Sequence, residues 1–172
     1  EIRTAAESKL LALADEKDAA VEVKVFNGQN DSSILNQIGA KVVSDGYDAV
    51  IPIATLAATC MVTATEETDT PVVYAAISDP ESAGLVDIAN VTGTSDALNT
   101  AFILDMMFAV QPDIKTVGLL YSRSEVNSET PIAQAKEYLD AKGVKYIEKT
   151  GNTTDEVLSA ASELAERCDA VF

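Results

Sequence analysis

Short apolar segments alternate with longer amphipathic segments along the chain. Alternating or unbroken apolar runs rich in β-branched side chains predict strands at residues 21–26, 49–53, 71–77, 115–121, 145–150 and 169–172, and a short extended segment at residues 90–94. Apolar residues at helical spacing predict helices at residues 2–14, 31–44, 55–65, 98–110, 129–142 and 154–167.

The order of these elements predicts an α/β fold. Regular alternation of strand and helix with short connections is typical of parallel sheets flanked by helices on both faces. Because polar residues near 94–100 separate two similar halves, we expect two Rossmann-like lobes, residues 1–97 and 98–172. The chain begins with a helix and ends with a strand, so each lobe is expected to be incomplete, lacking a strand before Glu1 and further elements after Phe172.

The apolar run at residues 71–77 carries the most information about a functional site. It predicts a strand buried on both faces, and it ends abruptly at Ser78-Asp79-Pro80. Ligands of open parallel sheets bind outside the carboxyl ends of the strands, which directs attention to these polar residues. In the preceding strand, Pro52 lacks a backbone donor and is expected to weaken pairing on one side.

Composition removes several classes of function. The chain has 28 acidic and 12 basic residues and a net charge of −16, which repels nucleic acids and anionic membranes, so no nucleic-acid partner is expected. The absence of histidine excludes Ser-His-Asp and Cys-His catalysis and imidazole zinc sites. No glycine-rich phosphate loop is present, which disfavours nucleotides. We therefore expect no cofactor, no metal and no catalytic residue.

Two points of chemistry stay open at this level. An α/β enzyme that uses Asp79 or Glu125 is a minor alternative, since carboxylates can serve as general acids and bases. Cys60 and Cys168 lie in apolar, helical contexts, which favours two buried thiols, although spacing alone does not exclude a disulfide.

Short polar side chains follow three of the predicted strands, at residues 53–55, 77–80 and 121–128. Helix capping and turn formation explain each junction singly. Their repetition at the same edge of a sheet indicates a binding site. Hydroxyls and helix N-terminal amides suit a carboxylate, and Asp79 or Glu125 suits an ammonium, so a zwitterion such as an amino acid would fit.

Several segments together resemble one protein family. They are residues 27–36 (NGQNDSSILN), 53–55 (IAT), 76–80 (AISDP), 83–86 (AGLV), 90–95 (NVTGTS) and 121–128 (YSRSEVNS). In this order they resemble the substrate-binding proteins of ABC-type importers, in the branch for tryptophan, tyrosine and related amino acids. One departure is Leu56, which stands where the family usually has a proline.

The resemblance implies a type I periplasmic-binding-protein fold whose lobes close on a ligand by hinge motion. It also implies an extracytoplasmic location, as a lipoprotein or a periplasmic protein, and delivery to an ABC permease in the membrane. The implied ligand-binding residues are Thr55, Ser78 and Asp79 on the first lobe, and Ser124, Glu125, Asn127 and Ser128 on the second.

The tyrosines bear on which amino acid would bind. Tyr74 lies within a strand and is expected to pack in the core. Tyr121 ends a strand, where stacking on an aromatic ligand and packing in the core are equally open. The alternative function is a ligand-sensing regulator or receptor domain with the same fold.

Overall fold

The computed structural model describes residues 1–172. Three helices precede two parallel strands in the first part of the chain, and helices and parallel strands alternate in the second part. The elements are α1 (Ile2–Glu16), α2 (Ser32–Asp45), α3 (Thr55–Ala64), β1 (Val72–Ile77), β2 (Val91–Ser95), α4 (Thr100–Val110), β3 (Thr116–Tyr121), a 3₁₀ turn (Val126–Ser128), α5 (Glu129–Lys142), β4 (Lys145–Thr150), α6 (Thr154–Arg167) and β5 (Ala170–Val171). The chain forms two compact units, Glu1–Asp96 and Ala97–Phe172. The predicted α/β class with parallel sheets is confirmed.

Local signals at helix ends explain several of these boundaries. The Asp31 carboxylate accepts a hydrogen bond from the Ile34 amide and caps α2. Thr153 and Glu156 form a capping box at the start of α6. Gly46 and Gly143 end α2 and α5 in the left-handed conformation, which a glycine adopts without steric cost.

The sheet of the second unit has the order β4-β3-β5, with all strands parallel. Val117 and Leu119 of β3 are fully buried on one face, against residues of α4 and α5: Leu104, Ile132, Ala135 and Leu139. On the other face Gly118 lies under α6, where an added Cβ would approach the Leu164 side chain to 3.1 Å. Helices therefore cover this sheet on both faces, as predicted.

The sheet of the first unit is built around β1, which pairs in parallel with β2. Residues 50–54 run along the other side of β1, where the Val73 amide donates to the Val50 carbonyl and the Ala75 amide donates to the Pro52 carbonyl. Pro52 has no N–H to donate in return, so the predicted strand at residues 49–53 is reduced to two isolated bridges, at Val50 and Ile53.

The prediction that β1 is buried on both faces is wrong. Val72, Tyr74 and Ile77 are buried against α3 and the turn that follows β1, whereas Val73 on the opposite face is 37% exposed. The reason is that no helix covers this face, since α1 buries only Ala14. Tyr74 packs in the core, as predicted.

The predicted strand at residues 21–26 is also wrong. This segment belongs to no helix or strand, and its apolar side chains Val21, Val25 and Phe26 are exposed. An alternating pattern specifies a strand only when a neighbouring backbone completes its hydrogen bonds, and no strand of this chain pairs with it.

Cys60 is buried, Cys168 is half-buried, and both are free thiols.

Candidate functional site

Parallel pairing brings the carboxyl ends of neighbouring strands to the same edge of each unit's sheet. In the first unit this edge carries Thr55 after residues 50–54, Ser78 and Asp79 after β1, and Asp96 after β2. In the second unit it carries Tyr121 and the segment 122–128 after β3, and Asn152 after β4. Each unit therefore has a polar edge of its own.

The N-terminus of α3 is open to an anion. Its N-cap is Ala54, so no side chain accepts a hydrogen bond from the first-turn amides. Ala54 has φ 75° and ψ 158°, a region that residues other than glycine rarely occupy, and such strain concentrates at functional sites. Thr55, the first helical residue, is only 6% exposed. The free amides and the helix dipole favour a carboxylate at this position.

Ser78 and Asp96 join the ends of β1 and β2. The Ser78 hydroxyl donates to Asp96 Oδ1 over 3.2 Å, and the Asp96 amide donates to the Ile77 carbonyl over 3.1 Å. Ser78 is half-buried, and the Asp96 side chain is exposed. The Asp96 carboxylate is thus held beside the carboxyl end of β1.

Asp79 has a different set of partners. Its Oδ1 accepts from the Ser82 amide over 2.9 Å, and its Oδ2 accepts from the Ser82 hydroxyl over 2.7 Å. Turns at residues 80–84 follow β1, so no helix begins directly after this strand. Asp79 stabilises that turn in the manner of a local cap.

In the second unit, Tyr121 packs beside the buried cluster under α4 and α5. Its hydroxyl donates to Glu148 Oε2 over 2.9 Å, and Lys136 Nζ lies 2.7 Å from the same oxygen. The Lys136 ammonium lowers the pKa of Glu148, and Glu148 in turn raises the pKa of Lys136. The structure thus gives the Tyr121 ring a packing role and its hydroxyl an ionic partner.

The segment after β3 is held by a chain of hydroxyls. Ser122 Oγ donates to Asn152 Oδ1 over 3.0 Å and lies 2.8 Å from Ser124 Oγ, which makes Ser124 the donor in that second bond. The Asn152 backbone amide in turn donates to Glu156 Oε2 over 2.8 Å. This bond and a second one from the Thr153 backbone amide lower the pKa of Glu156. Ser124 therefore lies in a network that connects β3 to α6.

The remaining predicted residues lie in the turn before α5. The Glu125 carbonyl accepts from the Ser128 amide over 2.9 Å, and both residues are half-buried. Ser128 occupies the N-cap of α5 without a side-chain hydrogen bond to the helix. Asn127 Oδ1 is buried and has no hydrogen-bond partner, which leaves one acceptor of this turn unsatisfied.

Sequence reasoning missed Asp96 and Asn152 at these edges. The signal was available, because each is a polar residue two positions after a predicted extended segment, at 90–94 and at 145–150. The same rule that singled out Ser78 after β1 applies to both. The signal is weaker at Asp96, because residues 90–94 contain few apolar side chains.

Other features of the surface lie away from these edges. A depression of about 470 Å³ is lined by residues of segments 20–24 and 45–48, which include Tyr47 and four charged side chains. No group of three His, Cys, Asp or Glu side chains could hold a metal ion. None of the helices has the length and apolar character needed to cross a membrane.

Parallel strands flanked by helices, with polar side chains at the carboxyl edge of each sheet, are the arrangement of the type I periplasmic-binding-protein fold, which the chain shares with solved structures. The sequence profile of the family described as ABC transporter substrate binding protein matches residues 8–172. The chain belongs to this family, which confirms the resemblance noted from its motifs.

Relatives of the chain include proteins with stated ligands. It is 32% identical over 157 residues to a tyrosine-binding protein of Clostridioides difficile, a match that covers 88% of this chain and 45% of the relative. A Streptococcus pneumonia ABC domain solved in complex with L-Trp superposes with a TM-score of 0.81 at 33% identity, covering 91% of this chain and 55% of that one.

A third relative is the ligand-free, open structure of CD0873 from Clostridium difficile, a substrate binding protein with adhesive properties. It superposes with a TM-score of 0.57 at 34% identity and covers 92% of this chain and 56% of that one. The chain thus spans about half the length of the relatives it matches.

Proposed function

We propose that this protein is the substrate-binding component of an ABC importer and that its ligand is an amino acid, with tryptophan and tyrosine as the first candidates. The observation that carries the proposal is the family match over residues 8–172, joined to relatives described as binding tyrosine and L-Trp. The open N-terminus of α3 and the carboxylates of the first unit's polar edge support a zwitterionic ligand.

The mechanism we propose is capture without chemistry. In this proposal the units Glu1–Asp96 and Ala97–Phe172 belong to the two lobes of the full-length protein, and each contributes its polar edge to ligand capture. Binding energy that is available only in the closed form drives closure by a hinge. In this proposal Thr55, Ser78 and Asp79 contribute from the first lobe, and Tyr121, Ser124, Glu125, Asn127 and Ser128 from the second.

The partners follow from that role. The closed, loaded protein delivers its ligand to an ABC permease from the extracytoplasmic side of the membrane, either in the periplasm or as a lipoprotein at the cell surface. No catalytic step is part of this function, and the relatives are binding proteins. These relatives favour transport over the alternative of a ligand-sensing regulator.

A thermal-shift screen of the full-length protein against the twenty amino acids tests the proposal. A ligand at 100 times its Kd stabilises the folded state by about 2.7 kcal/mol, which raises the melting temperature by several degrees. We expect a shift with tryptophan, tyrosine or a close analogue. A shift with a sugar or nucleoside and none with any amino acid would reject the amino-acid ligand.

A further inference from the structure

The first unit offers two carboxylates beside its polar edge, Asp79 and Asp96. We infer that Asp96, and not Asp79, binds the α-ammonium group of the ligand. The inference rests on the proposed function, because it names the subsite for one end of an amino acid.

The hydrogen bonds of Asp79 argue against an ammonium there. Both of its carboxylate oxygens already accept from Ser82, one from the amide and one from the hydroxyl, at 2.9 and 2.7 Å. These two bonds turn the Asp79 carboxylate toward Ser82, and an ammonium that took their place would break the turn that follows β1. Asp79 therefore shapes the edge of the site, and the ammonium is left to another carboxylate.

Asp96 is placed differently. It accepts one side-chain hydrogen bond, from the Ser78 hydroxyl to Oδ1 over 3.2 Å, and it takes part in no ion pair. Its exposed carboxylate keeps Oδ2 for a further donor. The Ser78 hydroxyl and the backbone bond to Ile77 hold the residue at the end of β2.

The strand order supplies a matching distance. Residues 50–54, β1 and β2 are neighbours in that order, so α3 and Asp96 follow the two outer members. Neighbouring strands lie about 4.8 Å apart, which puts these two ends about 10 Å apart. The carboxylate and ammonium of an amino acid are about 3 Å apart, and with a hydrogen bond at each end they span about 9 Å. A zwitterion therefore fits with its carboxylate at the open N-terminus of α3 and its ammonium at Asp96.

Calorimetric titration of the full-length protein with paired ligands tests this assignment. L-tryptophan is compared with indole-3-propionate, and L-tyrosine with 3-(4-hydroxyphenyl)propionate, because each analogue keeps the ring and carboxylate and lacks the ammonium. The variants are Asp96→Asn and Asp79→Asn. Asp69→Asn is the matched control, since Asp69 is an exposed aspartate in a loop of the same unit.

We expect Asp96→Asn to weaken binding of the amino acid by about 10- to 100-fold and to leave the affinity for its analogue within about threefold, because a charged hydrogen bond is lost only with the former. Asp79→Asn should lower the melting temperature of the free protein and change the affinities for the amino acid and its analogue by the same factor. Asp69→Asn should match wild type.

Three results would overturn the inference. The first is an Asp96→Asn variant that binds the amino acid as wild type does. The second is a selective loss of amino-acid affinity in Asp79→Asn. The third is wild-type protein that binds the amino acid and its ammonium-free analogue with equal affinity. All three results leave the proposed function intact, which is rejected instead when no amino acid shifts the melting temperature. Unchanged thermal unfolding of ligand-free Asp96→Asn verifies that its fold is preserved.

Discussion

Strands β1 and β3 have similar apolar sequences and different surroundings. β3 lies between β4 and β5, with α4 and α5 on one face and α6 on the other. β1 has a full partner only in β2, and Val73 on one of its faces is exposed. A run of apolar residues therefore specifies a strand, but its burial depends on elements distant in sequence.

Glycine-to-alanine substitutions are expected to give the largest difference between the two sheets in the loss of unfolding free energy. Gly93 of β2 lies opposite Tyr74, and an added Cβ would collide with the Tyr74 carbonyl oxygen and ring. We expect Gly93→Ala to cost about 3 kcal/mol of unfolding free energy in urea titrations. Gly118→Ala is the control and should cost about 1 kcal/mol, because the Leu164 side chain 3.1 Å away can shift. Equal losses would show that β1 and β2 are not tightly paired.

Valine-to-alanine substitutions are expected to give the next largest difference in the loss of unfolding free energy between β3 and β1. Val117 of β3 is fully buried, and Val117→Ala removes two buried methyl groups, so we expect a loss of about 2 kcal/mol. Val73→Ala in β1 should cost less than about 0.5 kcal/mol, since its side chain is 37% exposed. The same urea titrations measure both. A loss at Val73 as large as that at Val117 would mean that the open face of β1 is covered in the full-length protein.

Helix caps should act alike in the two units. Asp31→Ala removes the cap of α2, and Thr153→Ala removes the capping box of α6, so each should cost about 1 kcal/mol. Ser128→Ala is the control and should leave stability nearly unchanged, because the Ser128 side chain makes no capping hydrogen bond to α5. A much larger loss in one unit would show that its caps also fix tertiary contacts.

Acid is expected to destabilise the second unit, and this is the smallest effect. The Lys115 and Thr116 amides lower the pKa of Asp169, and the pKa values of Glu148, Glu156 and Glu163 in the same unit are also lowered. In the first unit Lys41 lowers the pKa of Asp45. A lowered folded-state pKa stabilises the protein above the ordinary carboxyl pKa, and the gain is lost as pH falls through the folded value.

Asp169→Asn therefore should be less stable than wild type at neutral pH, and the gap should close as pH falls below about 4. Urea midpoints measured from pH 7 to pH 2.5 give the comparison, with Asp69→Asn as control because it has no such partners. A gap that stays constant over this range would contradict a role for the Asp169 charge.

The same contrast explains how much of the fold was predictable. Helix α5, strand β4 and helix α6 begin and end at the predicted residues, because caps, turns and neighbouring strands all lie close in sequence. Residues 21–26 have an equally clear alternating pattern and form no strand, since pairing requires a second backbone. Local propensity alone does not supply that partner.

The candidate site was predictable to the level of the sheet edge. The rule that polar residues follow parallel strands led to Thr55, Ser78 and Ser124, and their roles as ligand contacts stay predictions. It could not separate Asp79 from Asp96, because the choice depends on side-chain hydrogen bonds to Ser82 and Ser78. The Ser78–Asp96 bond joins residues 18 positions apart through the paired strands, so no local sequence signature reveals it.

Hydrogen exchange of the full-length protein, with and without saturating L-tryptophan or L-tyrosine, tests most directly whether the ligand binds at the carboxyl edges of the sheets. We expect slower exchange in the ligand complex at residues 54–57, 77–80 and 122–128, which lie at the carboxyl edges of the two sheets. Residues 112–116 and 143–145, at the amino ends of β3 and β4, should be unchanged. Protection confined to the amino ends, or no protection with either amino acid, would contradict binding at the carboxyl edges.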